Sequence, residues 1–439
     1  MSRPIHPDSL APRSGERAGV RGTDPSIEGK KTPDPSAGRV LPLSLGVYVH
    51  FPFCSIRCPY CDFAVDTRAA DVVPHDAYAD AVIAELAARR AWFDGAGPLV
   101  SIYFGGGTPG LWRPDALGRV VAAVRAAFGD PPAESLEITV EANPGEVDAA
   151  GLAALRSVGV NRLSLGAQAF EDHLLRALGR NHDAASIPAA VRAARGAGFA
   201  SLSLDLIFGV PGQTRDGWRR ALDATVALAP EHVSAYALTI ERGTAFGALE
   251  RAGKLPRPDD EAVAELFEDA RAALAAAGLP QYEVSSYARP GHRARHNSLY
   301  WSGSPYLGLG ASASSFRPLA DGTGLRFTNP RATDTYLRAA QGGAKEGRHL
   351  IAPKLVERRD RDDLENEALW LGLRTTDGVD RAAHRARHGR DPLEGRRDDA
   401  EACARSGWLA VDEARLSLTP LGFLFADEVA SRLWRQIGP

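Results

Sequence analysis

No run of eighteen apolar residues occurs in this 439-residue chain, so no segment reads as a membrane-spanning helix. The first residues lack the basic, apolar and small-residue succession of a secretory signal, and the expected location is the cytoplasm. An excess of one charge is missing too. The 52 basic side chains face 55 acidic ones, and a formal net charge of −3 gives no global attraction for nucleic acid or an anionic membrane. Cysteine is scarce. Four thiols in so long a chain exclude a disulfide scaffold, and three of them fall within eight residues, which suits a metal or cluster in a reducing compartment.

What is present is enough apolar sequence (44%) for a large core, and a length that favours two structured units. Residues 1–43 are rich in Pro, Gly, Ser and Arg without apolar periodicity, and read as a disordered extension. From Gly46 a regular alternation begins. Short β-rich runs fall at Val47–His50, Ser101–Phe104, Leu136–Glu141, Arg162–Leu165, Leu202–Phe208 and Val233–Leu238. Helical periodicity fills the gaps at about 75–93, 115–128, 148–157, 184–197, 216–228 and 259–277. Six strand–helix alternations predict an α/β unit with a parallel sheet over 44–280, open or closed into a barrel. Cys54 to Cys61, Gly105 to Thr108, Glu141, Gln168 and Asp205 all fall late in these runs or just after them. They should gather at the C-terminal edge of the sheet, where α/β folds place their sites.

Residues 281–350 read as a linking segment whose Tyr, Trp, Gly and His lie in loops. Residues 351–439 read as three helices (362–373, 380–387, 397–406), a small hairpin (408–411, 415–418) and a last helix (420–436), which suggests a winged-helix-like module. Its third helix is not basic, so packing rather than DNA binding is the expected role.

Cys54-Ser-Ile-Arg-Cys58-Pro-Tyr-Cys61 has the spacing C-x₃-C-x₂-C. Three thiolates on one loop can each hold one iron of a cubane and leave the fourth iron open to a ligand. Zinc is the rival, with His50 as a fourth ligand, although no second ligand pair is visible. Cys403, alone in a predicted helix, reads as a small core residue. Gly105, Gly107 and Gly110 formally match G-x-G-x-x-G. They follow the second strand and are interrupted by Pro109, so the dinucleotide reading fails on context. The glycines still permit close backbone approach to a polar ligand.

Together, Tyr48-Val-His-Phe-Pro-Phe-Cys54 to Cys61-Asp62-Phe63 and Gly105-Gly-Gly-Thr-Pro109 resemble the radical S-adenosylmethionine (SAM) enzymes, and more narrowly the oxygen-independent coproporphyrinogen III oxidase group. The likeness continues through Glu141-Ala-Asn-Pro-Gly145, Arg162 to Gln168, Leu178-Gly-Arg180-Asn-His and Asp205 to Gln213, and spans roughly 46–436. It implies a partial (β/α)₆ barrel with a [4Fe–4S] cluster on Cys54, Cys58 and Cys61 at its open face. It implies SAM contacts from Tyr48, Tyr60, Gly106, Gly107, Thr108, Glu141, Gln168, Arg180 and Asp205. Taken singly, Glu141 or Asp205 reads equally well as a helix cap or an ion-pair member.

One position departs from the oxidase pattern. Phe63 stands where that pattern carries a further cysteine. There, at His296-Asn-Ser-Leu-Tyr-Trp301 and at Ala368-Leu-Trp-Leu-Gly-Leu-Arg374, the chain resembles the HemW-type branch, the radical SAM haem chaperones. This resemblance implies haem as a third cofactor, with His296 as axial ligand and Tyr300 and Trp301 as an aromatic wall, while the propionates would reach solvent or an Arg such as Arg293 or Arg295. The partners implied are a reductant for the cluster and haem-accepting proteins, membrane-bound respiratory enzymes among them, with no nucleic acid. The enzyme-class rival is oxidative decarboxylation of coproporphyrinogen III through a 5′-deoxyadenosyl radical. A zinc-stabilised interaction module is a third reading. The bland account of the last motif packs Tyr300 and Trp301 at a domain junction.

Overall fold

The structure, a computed structural model, describes residues 43–343 and 353–435. The N-terminal extension expected over 1–43 lies outside these residues except for its last position.

Six parallel strands alternate with six main helices. They are β1 Leu45–Phe51, β2 Leu99–Gly106, β3 Glu137–Ala142, β4 Arg162–Gln168, β5 Ser201–Phe208 and β6 His232–Ala237. The helices are α1 His75–Arg89, α2 Pro114–Ala127, α3 Ala149–Ser157, α4 Ser186–Gly196, α5 Arg215–Ala227 and α6 Asp260–Ala276. Each strand sits within three residues of its expected bounds. All seven residues of β1 are buried, as a strand covered on both faces requires. Helix starts follow their sequence signals. Asp148, Thr214 and Asp259 cap α3, α5 and α6 by accepting from the N–H three residues on, and Pro114 takes the first position of α2.

The reading of 281–343 as loops is corrected. This segment forms β7 Gln281–Glu283, β8 Ser286–Ala288, helix α7 Arg295–Trp301, β9 Tyr306–Leu309, β10 Ser314–Pro318 and β11 Gly324–Thr328; β12 Leu355–Arg359 follows. These runs are too short and too rich in Gly and Ser for periodicity to reveal. The twelve strands make one sheet in the order β12-β11-β10-β9-β1-β2-β3-β4-β5-β6-β8-β7. From β9 to β6 all pairs are parallel, and antiparallel strands extend both ends. The sheet stays open while residues from β1 to β6 line one cavity, so the core is a partial (β/α)₆ barrel with added edges.

The C-terminal module holds α8 Arg361–Leu373, α9 Arg381–His388, α10 Arg397–Arg405 and α11 Ala426–Arg432. Its small antiparallel sheet orders Val379–Asp380, Arg415–Leu418 and Leu409–Val411. Helices plus a three-stranded wing match the expected winged-helix-like form. Cys403 is fully buried in its core. Arg396 donates to both carboxylate oxygens of Glu365 at 2.6 and 2.8 Å, and to Asn366 at 2.7 Å, tying α8 to the start of α10. Trp301 of α7 shares a core with Leu369 and Leu373 of α8, so the barrel and the module meet there.

Candidate cluster and cofactor site

The cysteine loop leaves β1 at the C-terminal edge of the sheet and is braced on several sides. Phe53–Cys54 pairs with Asp66–Thr67. The Phe246 N–H donates to Pro59 O at 2.9 Å. Asn181 Nδ2 donates to Glu146 at 2.9 Å and to Ser55 Oγ at 3.2 Å; Ser55 itself donates to Glu146. All three thiols are free and half-buried. Thr108 Oγ1 donates toward Cys54 Sγ at 3.6 Å, and Arg180 Nη1 toward Cys58 Sγ at 3.6 Å. Burial pushes the Cys54 thiol up to about 12 and raises Cys61. Bound iron reverses that preference, because a coordinated thiol is deprotonated outright.

Among the described residues, no three His, Cys, Asp or Glu side chains converge where one metal ion could sit. A tetrahedral zinc needs that convergence; a cubane does not, because each thiolate binds its own iron. His50 is also unfit as a zinc ligand. It is 2% exposed, its Nδ1 shares a 3.1 Å hydrogen bond with Tyr48 Oη, and its Nε2 bonds Ala64 O at 2.9 Å. The residues fit a [4Fe–4S] cluster and disfavour zinc.

The glycine loop does something the sequence did not suggest. A Cβ on Gly107 would lie 2.6 Å from Phe53 O, and one on Gly106, whose φ is +112°, 2.4 Å from the His50 ring. The Gly107 N–H donates to Phe51 O at 2.8 Å and the Thr108 N–H to Phe53 O at 2.9 Å. The close approach is therefore to the cysteine loop itself, whose backbone the glycines hold in place.

Strand-end side chains converge on the same cavity. Glu141 accepts from Tyr103 Oη at 2.7 Å and from the Gly106 N–H at 3.1 Å, and burial raises its carboxyl to about 7. Asp205, also raised by burial, accepts from Ser164 at 2.8 Å and Ser203 at 3.1 Å. Arg180 donates to Asn143 and, at 3.3 Å, to Gly166 O. Gln168 follows an irregular register in β4 and takes a left-handed φ of +64°. Such strained positions in non-glycine residues cluster at ligand sites. Tyr60 lies beside Phe246, with ring centroids 6.5 Å apart. One cavity of about 1850 Å³ is lined by all fifteen expected residues: the three cysteines, the nine expected SAM contacts and His296, Tyr300 and Trp301. Phe63, 48% exposed, lines it too.

The Radical SAM superfamily model matches residues 48–224, and the HemN C-terminal domain model matches 360–425. In solved structures, coproporphyrinogen III oxidase (HemN) from Escherichia coli, described as a radical SAM enzyme, is 25% identical with a TM-score of 0.73, covering 91% of this chain and 92% of that one. Curated relatives named heme chaperone HemW are closer in sequence. That of Mycobacterium tuberculosis is 36% identical over 88% of this chain and 94% of its own length. That of Bacillus subtilis is 34% identical over 87% and 97%, and that of Synechocystis 37% over 76% and 78%. The chain belongs to the HemW family. A radical SAM fold of this family implies a [4Fe–4S] cluster and SAM, for which the cysteines and strand-end groups described above are suited.

The HemW-like motif at 296–301 lies far from the cysteine loop in the fold. It forms a helix, α7, at the opposite end of the sheet from the cysteines. The Arg295 and His296 N–H groups donate to Glu137, the first residue of β3, at 3.1 and 3.2 Å. His296 is 1% exposed. Its Nδ1 bonds Ser101 Oγ and its Nε2 bonds Tyr300 Oη, each at 2.9 Å, and its ring stacks on Tyr103. Both ring nitrogens are engaged, so an axial-ligand role would require breaking one of these bonds. Burial holds its pKa near 3. Arg293 and Arg295, expected near propionates, are committed to Asp377 and to Ser135 O. Neither lines the cavity. Trp301 packs the junction, as the bland account has it.

Sequence reasoning passed over Glu137, Glu146, Asn181, Ser101 and Tyr103. Glu146 and Asn181 fall inside the quoted motifs or one residue beyond them, and that was the available signal. Glu137 opens β3 and Ser101 is the third residue of β2, positions for which the sequence offers no cue.

Proposed function

We propose that this chain is a cytoplasmic haem chaperone that carries a [4Fe–4S] cluster and SAM, binds haem, and delivers it to haem-accepting proteins, membrane-bound respiratory enzymes among them. The observation that carries the reading is the likeness to relatives named heme chaperone HemW, nearly full-length in the Mycobacterium and Bacillus cases. Two features support it. Phe63 lines the cavity where the oxidase pattern has a further cysteine, and the cavity exceeds the usual 300–1,000 Å³ of a single-ligand site. Among the described residues, no helix is long and apolar enough to cross a membrane.

Cys54, Cys58 and Cys61 would hold the cluster, which when bound supplies an open iron and one-electron chemistry toward SAM. Around it the chain's own groups have separate tasks. Arg180 places a cation beside Cys58, where it favours an anionic group. Glu141 and Asp205 offer carboxylates to hydroxyls, and Gly106 to Thr108 fix the loop that carries the thiols. The rival, coproporphyrinogen decarboxylation, draws its support from the likeness to the HemN structure and the HemN C-terminal domain model.

The test is transfer. Haem-loaded, anaerobically reconstituted protein is mixed with an apo-cytochrome, and the acceptor's Soret band is followed against free haem at equal concentration. Transfer faster or more selective than from free haem is expected. Haem that never leaves the protein, or none bound at the start, overturns the reading.

A further inference from the structure

Haem iron takes His, Cys, Met or Tyr as its protein ligand, and the side chains around the cavity narrow that choice. The two imidazoles that line it, His50 and His296, have both ring nitrogens engaged. Its three thiols belong to the cluster, and the chain's one methionine is its first residue. Six tyrosines remain. Tyr48, Tyr103 and Tyr300 spend their hydroxyls on His50, Glu141 and His296. Tyr60 lies at the cluster end, beside Cys58 and Arg180. Burial and the charges of Asp205 and Glu283 hold Tyr236 well above its ordinary value, against a phenolate.

Tyr306 alone of the six is half-buried at the aromatic end with a cation turned toward its hydroxyl. It stands opposite Phe316 of β10, which stands opposite Arg326 of β11, so the three side chains share one face across three strands. All three line the cavity. The Arg326 guanidinium lies 5.3 Å from the Phe316 ring centroid. Burial raises the Tyr306 hydroxyl above its ordinary value; the charge of Arg326 and a hydrogen bond from it oppose that rise, and Glu367 adds to it. Arginine can only donate, so the hydroxyl's own proton has no acceptor among the described residues. The ring itself is held: Tyr300 meets it edge-on at 4.8 Å between centroids, and Phe316 lies at 6.2 Å. Tyr306 pairs with Gly46 at the start of β1, whereas the cysteine loop leaves the strand's other end.

We propose that Tyr306 is the axial ligand of the haem iron, bound as a phenolate that Arg326 supports. The inference rests on the haem reading above. Binding is a ligand exchange without redox change: ferric haem gives up a bound water, the phenol gives its proton to bulk water, and an iron–oxygen bond forms. The competing account leaves Tyr306 as wall packing and Arg326 as the partner of Glu367, to which it donates at 3.1 and 3.4 Å.

Optical and resonance Raman spectra of ferric haem decide between them, on full-length, anaerobically reconstituted protein freed of thiol reductant. The wild type should show tyrosinate ring bands in resonance with a phenolate-to-iron charge-transfer absorption. Tyr306→Phe keeps the ring's packing, and should lose those bands and most of the haem affinity at unchanged iron–sulfur content. Tyr306→His should bind haem with an imidazole-type spectrum instead. Arg326→Gln should keep the bands and weaken haem binding by about 10–100-fold, as the loss of a group that supports a metal ligand does. Tyr306→Phe with wild-type spectrum and affinity overturns the ligand and leaves the haem reading in place. So does a wild type whose bound haem carries no tyrosinate bands. A wild type that binds no haem removes the haem reading, and the ligand with it.

Discussion

Gly107, Glu141 and His296 show how differently single residues can be read. Gly107 looked like a ligand-facing glycine, yet it lies against the backbone that positions Cys54. Gly107→Ala should therefore strain the cysteine loop by about 1–3 kcal/mol, as overpacking does. Iron content after reconstitution should fall even without SAM, and full iron loading would contradict this. Glu141 already holds Tyr103 and the Gly106 N–H, so Glu141→Gln keeps the shape and removes the charge. SAM affinity should fall about tenfold, as expected for one charge-assisted bond, at unchanged iron content; equilibrium dialysis with labelled SAM measures it. His296 was legible as special but not for its role. Its bonds to Ser101 and Tyr300 predict that His296→Ala costs about 2–4 kcal/mol through a cavity and two stranded hydroxyls. The Soret band of bound haem should stay as in the wild type, and a changed band would restore the ligand role.

Among the elements, β1 to β6 and α1 to α6 were legible because long helical periodicity and β-rich runs alternate without interruption. The strands of 281–343 were not. Tyr306–Leu309 is only four residues long, and it becomes a parallel neighbour of β1 through tertiary pairing that no local pattern announces. The helix α7 was hidden for a related reason: its N-terminus is capped by Glu137, which lies 158 residues away from Arg295 in the chain. The module's helices were legible from periodicity, but the ion pair that joins α8 and α10 was not. Burial would raise the Glu365 carboxyl, yet hydrogen bonds from His384 and Arg396 hold it well below its ordinary value of 4.5. The sign follows from that. A carboxyl lowered in the folded state contributes stability that is present above pH 4.5 and is lost as pH falls below it. Glu365→Ala should destabilise the module by about 3–5 kcal/mol at neutral pH, with the difference from wild type shrinking in acid. A pH series of thermal melts reads it, and a constant difference across that range would contradict the pairing.

Across the whole molecule, the sheet gathers thiols, carboxylates, Arg180 and an aromatic wall around one cavity. Residues 160 apart or more share it, which is why the site's membership was legible from motifs and its layout was not. The cysteines lie at one end of β1, and α7, whose Leu299 and His296 lie beside Gly46, at the other. Gly46 and Phe51 stand about 16 Å apart along a strand. The cluster end and the aromatic end are thus separate regions of one chamber, with room for more than one ligand. That arrangement suits a protein that holds a macrocycle apart from its cluster, whereas decarboxylation needs the substrate's propionate at the SAM methylene. The most direct measurement is made on one anaerobic sample with the cluster reconstituted and SAM added, splitting it between a haem titration and a coproporphyrinogen turnover assay. Stoichiometric haem binding with no protoporphyrinogen formed is the expected result; turnover of coproporphyrinogen without haem binding would contradict it.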